Sequence, residues 1–170
     1  VNVQVSFQYA EDDDETIYAF ANNINTADGG THLSGFKTSI TRVVNQFSRS
    51  LSIIKEKEPN LTGEDIREGI VAIISVRLPQ PQFEGQTKGK LGSPEVEGVV
   101  NRLFSEALTE YFEKNPSILK MISERALRAA RARAAAKKAS ESIKRQGFLG
   151  KSGSLPGKLS DCDTEDVAIS

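Results

Sequence analysis

The 170-residue chain has one Cys, one His, one Met and no Trp. A single Cys, Cys162, rules out an intramolecular disulfide framework and any all-Cys zinc site, and suits a reducing compartment. A single His, His32, rules out Cys/His zinc pairs and requires any Ser-His or Cys-His nucleophile pair to use that one ring. His32 sits at a helix start beside a Gly-rich turn, where packing is the simpler role. Cys162 lies in a tail among acids, which disfavours a reactive thiolate. No apolar run approaches the ~18 residues of a membrane span, and the N-terminus has neither a basic nor an apolar leader segment. Val-Asn-Val-Gln-Val at the start, with no Met before it, reads as a strand within an excised fragment. What is present is an ordinary folded composition, with 38% hydrophobic residues and a net charge of -1.

That near-neutral total conceals two opposed blocks. Residues 1–30 hold six acids and no base, five of the acids in the run Glu11–Glu15. Residues 116–146 hold nine bases and two acids, among them Arg125, Arg128, Arg131 and Arg133. Such segregation fits two distinct surfaces or an ordinary charged helix face.

Residues 2–9 alternate apolar and polar, which predicts a strand buried on one face. Glu11–Glu15 reads as a solvated hairpin loop and residues 16–21 as the return strand. After a turn containing Gly29 and Gly30, Thr31 is the expected N-cap of a helix whose apolar positions Phe36, Ile40, Val43, Val44, Phe47, Leu51 and Ile54 carry it toward Lys57. A short capped helix is expected at 62–68, and Ile70 to Leu78 reads as a central strand covered on both faces. A Gly-interrupted loop spans 83–92, and Ser93 followed by Pro94 opens the next helix, expected to run to Asn115. From Pro116, Ile118, Ile122, Ala126, Ala129, Ala132, Ala136, Ala139 and Ile143 make a narrow Ala-rich seam suited to close packing. Eight of the 14 residues 126–139 are Ala, itself a strong helix signal. The pattern is an α+β domain with one sheet face covered and a long C-terminal helix. It divides into a core at 1–115, a basic helix at 116–146 and a linker at 147–170.

Few chemical motifs stand out. Gly150-Lys151-Ser152 fails as a phosphate loop, because Arg145 stands where that motif needs Gly. Gln86 and Lys88, flanked by Gly85 and Gly89, form a polar finger with donors suited to phosphate oxygens. By residue type alone a surface loop that Lys88 and Lys90 merely solvate is the simpler reading. The basic helix could follow a phosphate backbone, but no aromatic residue interleaves its bases, so any such contact would be independent of sequence.

Four stretches together carry a resemblance: residues 20–36 (FANNINTADGGTHLSGF), 62–69 (TGEDIREG), 81–92 (PQFEGQTKGKLG) and 155–162 (LPGKLSDC). In this order they resemble the transducer domain of the type IIA topoisomerase B subunits, those of DNA gyrase and of topoisomerase IV. The resemblance implies a left-handed β-α-β transducer fold, similar to a ribosomal-protein domain, between a GHKL ATPase domain and a Toprim domain. It implies that Gln86 and Lys88 contact the ATP γ-phosphate bound in the neighbouring domain. Paired transducers enclose a basic cavity in that family, and Lys37 and Arg42 are the candidates for its wall. It implies ATP and Mg as cofactors held mainly outside this stretch, with DNA, the gyrase A subunit and a second B subunit as partners in a cytoplasmic heterotetramer away from membranes. A segment without the ATPase and Toprim residues is expected to be inactive alone. Two other readings remain open here: a free-standing nucleic-acid module using the basic helix through Arg125, Arg128 and Arg131, and a coupling domain of a mismatch-repair protein or chaperone. Gyrase and topoisomerase IV are not separated at this stage.

Overall fold

The computed structural model of the chain describes residues 1–55 and 57–149. Its larger sheet has the order β1 (Asn2–Tyr9), β4 (Ile70–Arg77), β2 (Thr16–Ala21), β3 (Ile24–Asn25). β1 and β2 are therefore not a hairpin. β4 lies between them, antiparallel to β1 and parallel to β2. The parallel β2–β4 pair is connected through α1 (Thr31–Ser50) and the short α2 (Gly63–Arg67), as parallel strands require.

Three rows of side chains in register form the covered face: Val3–Val76–Ala21, Val5–Ile74–Ala19 and Phe7–Ala72–Ile17. The other face is open, and on it Ile73 is 49% exposed beside Tyr18 at 52%. β4 is thus central in order but covered on one side only. The apolar stretch Ile70–Ile74 therefore does not mark two buried faces, since Ile73 is exposed.

Helix α1 packs along α3 (Pro94–Lys114), with Phe36, Ile40, Val43 and Val44 buried against a core containing Val96, Val100, Phe104, Leu108 and Phe112. Gly35 permits the close crossing, since a Cβ there would lie 2.6 Å from the Glu97 carbonyl. Rings link the layers, with centroids of Phe36 and Phe104 5.0 Å apart and those of Phe7 and Phe104 6.2 Å apart. α1 is capped by Gly30 rather than Thr31, whose hydroxyl is buried without a partner. It also stops at Ser50, well short of Lys57, because the chain turns at Ser52 (φ 56°) and folds Ile54 back into the core. α2 has the anticipated cap, with Thr62 and Asp65 making reciprocal bonds. At α3, Ser93 occupies the N-cap position but its hydroxyl accepts the Gln82 amide at 2.9 Å, so it holds the preceding segment instead.

The last helix, α4 (Pro116–Leu149), contributes Leu119, Ile122, Ala126 and Ala129 to buried positions. The described residues form two compact units, Val1–Ala130 and a second beginning at Arg131, so the core takes in the start of this helix as well as residues 1–115. In the second unit Ala132, Ala136, Ala139 and Ile143 are exposed. Cys162, the Gly150-Lys151-Ser152 run, the 155–162 stretch and most of the expected 147–170 linker lie outside the described residues. No described helix is long and apolar enough to cross a membrane.

Candidate functional site: a clasped polar hairpin and a basic groove

The segment 83–91 forms a small hairpin of β5 (Phe83–Glu84) and β6 (Lys90–Leu91). Its tip is a turn closed by the Lys88 amide to the Gly85 carbonyl at 3.4 Å. Gly85 has φ 75°, which glycine tolerates, but Lys88 also sits at φ 54°, a conformation uncommon for a residue with a Cβ. Gln86, Thr87 and Lys88 are all exposed. Gln86 has no side-chain partner among the described residues, and the Lys88 ammonium only overhangs the Phe83 ring at 5.9 Å. Lys90, by contrast, is paired with Glu84 at 3.0 Å. The hairpin therefore presents one amide and one unpaired ammonium on a turn where Gly85 leaves open space, while Gly89 lies against the Asp28 carboxylate. That donor set suits an anionic oxygen.

The base of the hairpin is held firmly. The Asp28 amide donates to the Gly89 carbonyl at 2.9 Å, and the Leu91 amide donates to the Gly29 carbonyl at 3.1 Å. Gly30 bridges to Leu91 with φ 138°, so close that a Cβ there would lie 2.6 Å from the Leu91 nitrogen. The turn that opens α1 and the hairpin that carries Gln86 and Lys88 are thus one clasped unit. In the sequence these two motifs stand far apart, with no sign that they touch.

Below the clasp, the Thr26 hydroxyl donates to the Ala19 carbonyl at 3.0 Å and meets His32 Nε2 at 3.2 Å. Its one proton being used, Thr26 accepts from an Nε2–H, leaving His32 neutral with a bare, buried Nδ1. Burial lowers the His32 pKa to about 4. The ring is a structural member and not a catalytic base. An unfolded chain takes up this proton near pH 6.5, so the folded state is fully favoured above that value. It loses about 3 kcal/mol as pH falls from 6.5 to 4 and is flat below. Urea midpoints across this range should show that slope, and His32→Gln should flatten it.

A second feature lies along α1. Lys37, Arg42, Arg49 and Arg67 line an open groove of about 710 Å³ whose other walls include Thr41 and Asn60. The two candidates Lys37 and Arg42 do share this surface, and Arg49 and Arg67 join them. Arg42 donates to Ser105 at 2.6 Å and to Asn101 at 3.2 Å. Arg49 donates to Asn60 and to the Glu58 carbonyl. Both guanidinium groups are positioned by uncharged acceptors. Lys37 and Arg67 instead share the Glu15 carboxylate, at 2.5 and 3.0 Å. Partial burial pushes Glu15 upward, but the hydrogen bonds and charges of Lys37 and Arg67 outweigh it and hold the carboxyl below its usual range. Arg49 is legible in the sequence as the residue two turns after Arg42 on the same helix face. Arg67 and Glu15 arrive from other elements, and spacing could not reveal them.

The basic helix is a more mixed case. Arg125 is not available to a ligand: it donates to the Ala10 carbonyl and, at 2.6 Å, to the Asp12 carbonyl, and it lies 6.0 Å from the Tyr9 ring centroid. This correction follows from the acidic loop folding back over the start of α4. Burial raises the Tyr9 pKa despite the nearby charges of Arg125 and Arg67, and the Tyr9 hydroxyl donates to the Ile66 carbonyl. Arg128, Arg131 and Arg133 are exposed. Among the described residues no group of three or more His, Cys, Asp or Glu could hold a metal ion.

Comparison with known proteins places this geometry in context. The family model for DNA gyrase B matches residues 1–142. The DNA gyrase B subunit of Clostridium acetobutylicum is 52% identical over 166 residues, covering 98% of this chain and 26% of that protein. Its counterpart in Halalkalibacterium halodurans is 51% identical over 170 residues, again 26% of its length. The chain therefore spans about a quarter of these curated relatives. Among solved structures, the 43K ATPase domain of Thermus thermophilus gyrase B in complex with an aminocoumarin matches with TM-score 0.76 and 47% identity, over 82% of this chain and 37% of that one. The topoisomerase IV ATP-binding domain of Francisella tularensis, in complex with a small-molecule inhibitor, matches with TM-score 0.69 and 28% identity, over 78% of this chain and 36% of that one.

Proposed function

The chain belongs to the DNA gyrase B family, and from that premise we propose that it is the transducer region of an ATP-dependent type IIA topoisomerase. In this reading Gln86 and Lys88 sense the γ-phosphate of ATP bound in a neighbouring domain and relay its presence toward DNA strand passage. The observation that carries the reading is the hairpin tip, where an amide and an ammonium stand exposed and unpaired on a base clasped to α1. The γ-phosphate supplies the anionic oxygen that such donors would hold, and it is present with ATP and gone after hydrolysis. A contact that differs between two nucleotide states can shift a domain equilibrium by its differential free energy. Because the hairpin base is bonded to residues 28–30, displacement of the tip is felt at the start of α1.

The α1 groove serves, in the same proposal, as part of the wall facing a transported duplex, with Arg42 and Arg49 as its charged contacts and Lys37 beside them. α4 would carry the movement onward, and its exposed bases Arg128, Arg131 and Arg133 would face nucleic acid or another domain. The whole protein would require ATP and Mg, pair with the gyrase A subunit and a second B subunit on DNA in the cytoplasm, and act as a gyrase. The described residues carry no catalytic group for ATP hydrolysis or DNA cleavage in this reading. Topoisomerase IV activity is the alternative for the whole protein, and a supercoiling assay with the cognate DNA-cleaving subunit separates the two.

Hydrogen exchange on the full-length protein tests the sensor. Amides of residues 83–91 should gain protection with a non-hydrolysable ATP analogue and lose it with ADP. Equal exchange in the two states would detach the hairpin from the nucleotide.

A further inference from the structure

Of the five acids in the run Glu11–Glu15, Glu15 alone forms ion pairs with groove residues, Lys37 and Arg67. It cannot easily drift away, because its loop is pinned on both sides. The Ala10 amide donates to the Gly69 carbonyl at 2.8 Å, the Gly69 amide donates to the Asp13 carbonyl at 3.1 Å, and Arg125 grips the Ala10 and Asp12 carbonyls. Its two oxygens sit 2.5 Å from the Lys37 ammonium and 3.0 Å from Arg67 Nε. Lys and Arg are also the donors that hold phosphate oxygens. The groove is therefore divided. At the Arg42 and Arg49 end the guanidinium groups are bonded to uncharged acceptors. At the Lys37 and Arg67 end a carboxylate already occupies the donors.

We propose that Glu15 is an internal phosphate mimic, a positioning residue that occupies the Lys37–Arg67 end of the groove and so limits how many phosphates of a duplex the wall can hold. The inference rests on the reading of the groove as a wall for the transported duplex. With Glu15 in place the groove would hold a passing duplex more weakly than four free cations could, and a strand in transit must leave. Duplex affinity falls with salt by a slope of about 0.9 per phosphate neutralised. Freeing Lys37 and Arg67 therefore adds roughly one to two phosphates to that slope, or ~3-fold per phosphate between 50 and 200 mM salt.

The test is binding of a 20-base-pair duplex to the full-length protein, followed by fluorescence anisotropy across a salt series. Glu15→Gln should bind more tightly at low salt, with a slope steeper by about one to two phosphates. Lys37→Gln should change little in the wild-type background, where Glu15 already engages Lys37, and should reverse most of the gain in the Glu15→Gln background. An unchanged slope in a Glu15→Gln protein of wild-type thermal midpoint would overturn the proposal. If Glu15→Gln folds poorly, Lys37→Gln alone decides: loss of a full phosphate from the slope in the wild-type background would show Lys37 already free, and would equally overturn it. The combined Arg42→Ala and Arg49→Ala protein tests the underlying reading separately. If its slope matches wild type, the groove does not meet DNA, whatever Glu15 does.

Discussion

Replacing Lys88 by alanine in the full-length protein should lower ATP turnover, and strand passage with it, by roughly two orders of magnitude, the usual loss when one preorganised charged donor is removed from a reacting centre. Stability should hardly change. Lys88 is exposed, it makes no ion pair among the described residues, and its ammonium lies 5.9 Å from the Phe83 ring centroid. The left-handed backbone at Lys88 is relaxed no further by alanine, so the turn is kept while its charge is lost. Gln86→Ala removes an uncharged donor whose bond to a phosphate oxygen would be charge-assisted, and should cost roughly 10- to 100-fold. Steady-state turnover of both variants, with a thermal midpoint as control, measures this directly. Wild-type turnover in a folded Lys88→Ala protein would return the tip to the status of a solvated loop.

Gly30→Ala is expected to harm the same activity from a position that carries no charge at all. At φ 138° an L side chain is strained, and the added methyl collides with the Leu91 backbone. Together these should cost about 2–4 kcal/mol. More tellingly, the relief open to the chain is to separate the 28–30 turn from the hairpin, breaking the Leu91-to-Gly29 and Asp28-to-Gly89 bonds. Turnover should then drop further than the loss of stability explains, because Lys88 is no longer aimed. Gly98→Ala is the matched control. It lies exposed in α3 with nothing within 4 Å of its new Cβ, and should stabilise the protein by about 0.5–1 kcal/mol. A Gly30→Ala protein with normal turnover and a normal urea midpoint would mean the clasp is dispensable.

How far the fold can be read from the sequence differs from element to element. Alternation over residues 2–9 identifies which face of β1 is covered, but alternation sets faces and not neighbours. The insertion of β4 between β1 and β2 depends on pairings between residues such as Phe7, Ala72 and Ile17, far apart in the chain. Apolar spacing overruns the end of α1, because Leu51 and Ile54 continue the pattern while Ser52 reverses the backbone and buries Ile54 from another direction. The capping box at Thr62 and the proline start of α3 are legible because both are local. The hairpin tip has no distinction by residue type. Only its likeness to known sequences singles it out, since the clasp at Gly30 that makes it rigid is a tertiary contact. Arg125 shows the opposite failure: counted with the exposed bases of its helix, it is in fact bonded to the loop after β1.

That loop has a mechanical consequence. Between Ser123 and Arg125, α4 is fastened to two separate parts of the core: Ser123 shares a buried 2.7 Å hydrogen bond with Ser48 near the end of α1, and Arg125 holds the carbonyls of Ala10 and Asp12. A torque applied to this part of the helix therefore follows two load paths at once, one into the helix that begins at the hairpin clasp and one into the loop that delivers Glu15. Twisting α4 would strain both in the same stroke, like a shaft keyed to two gears.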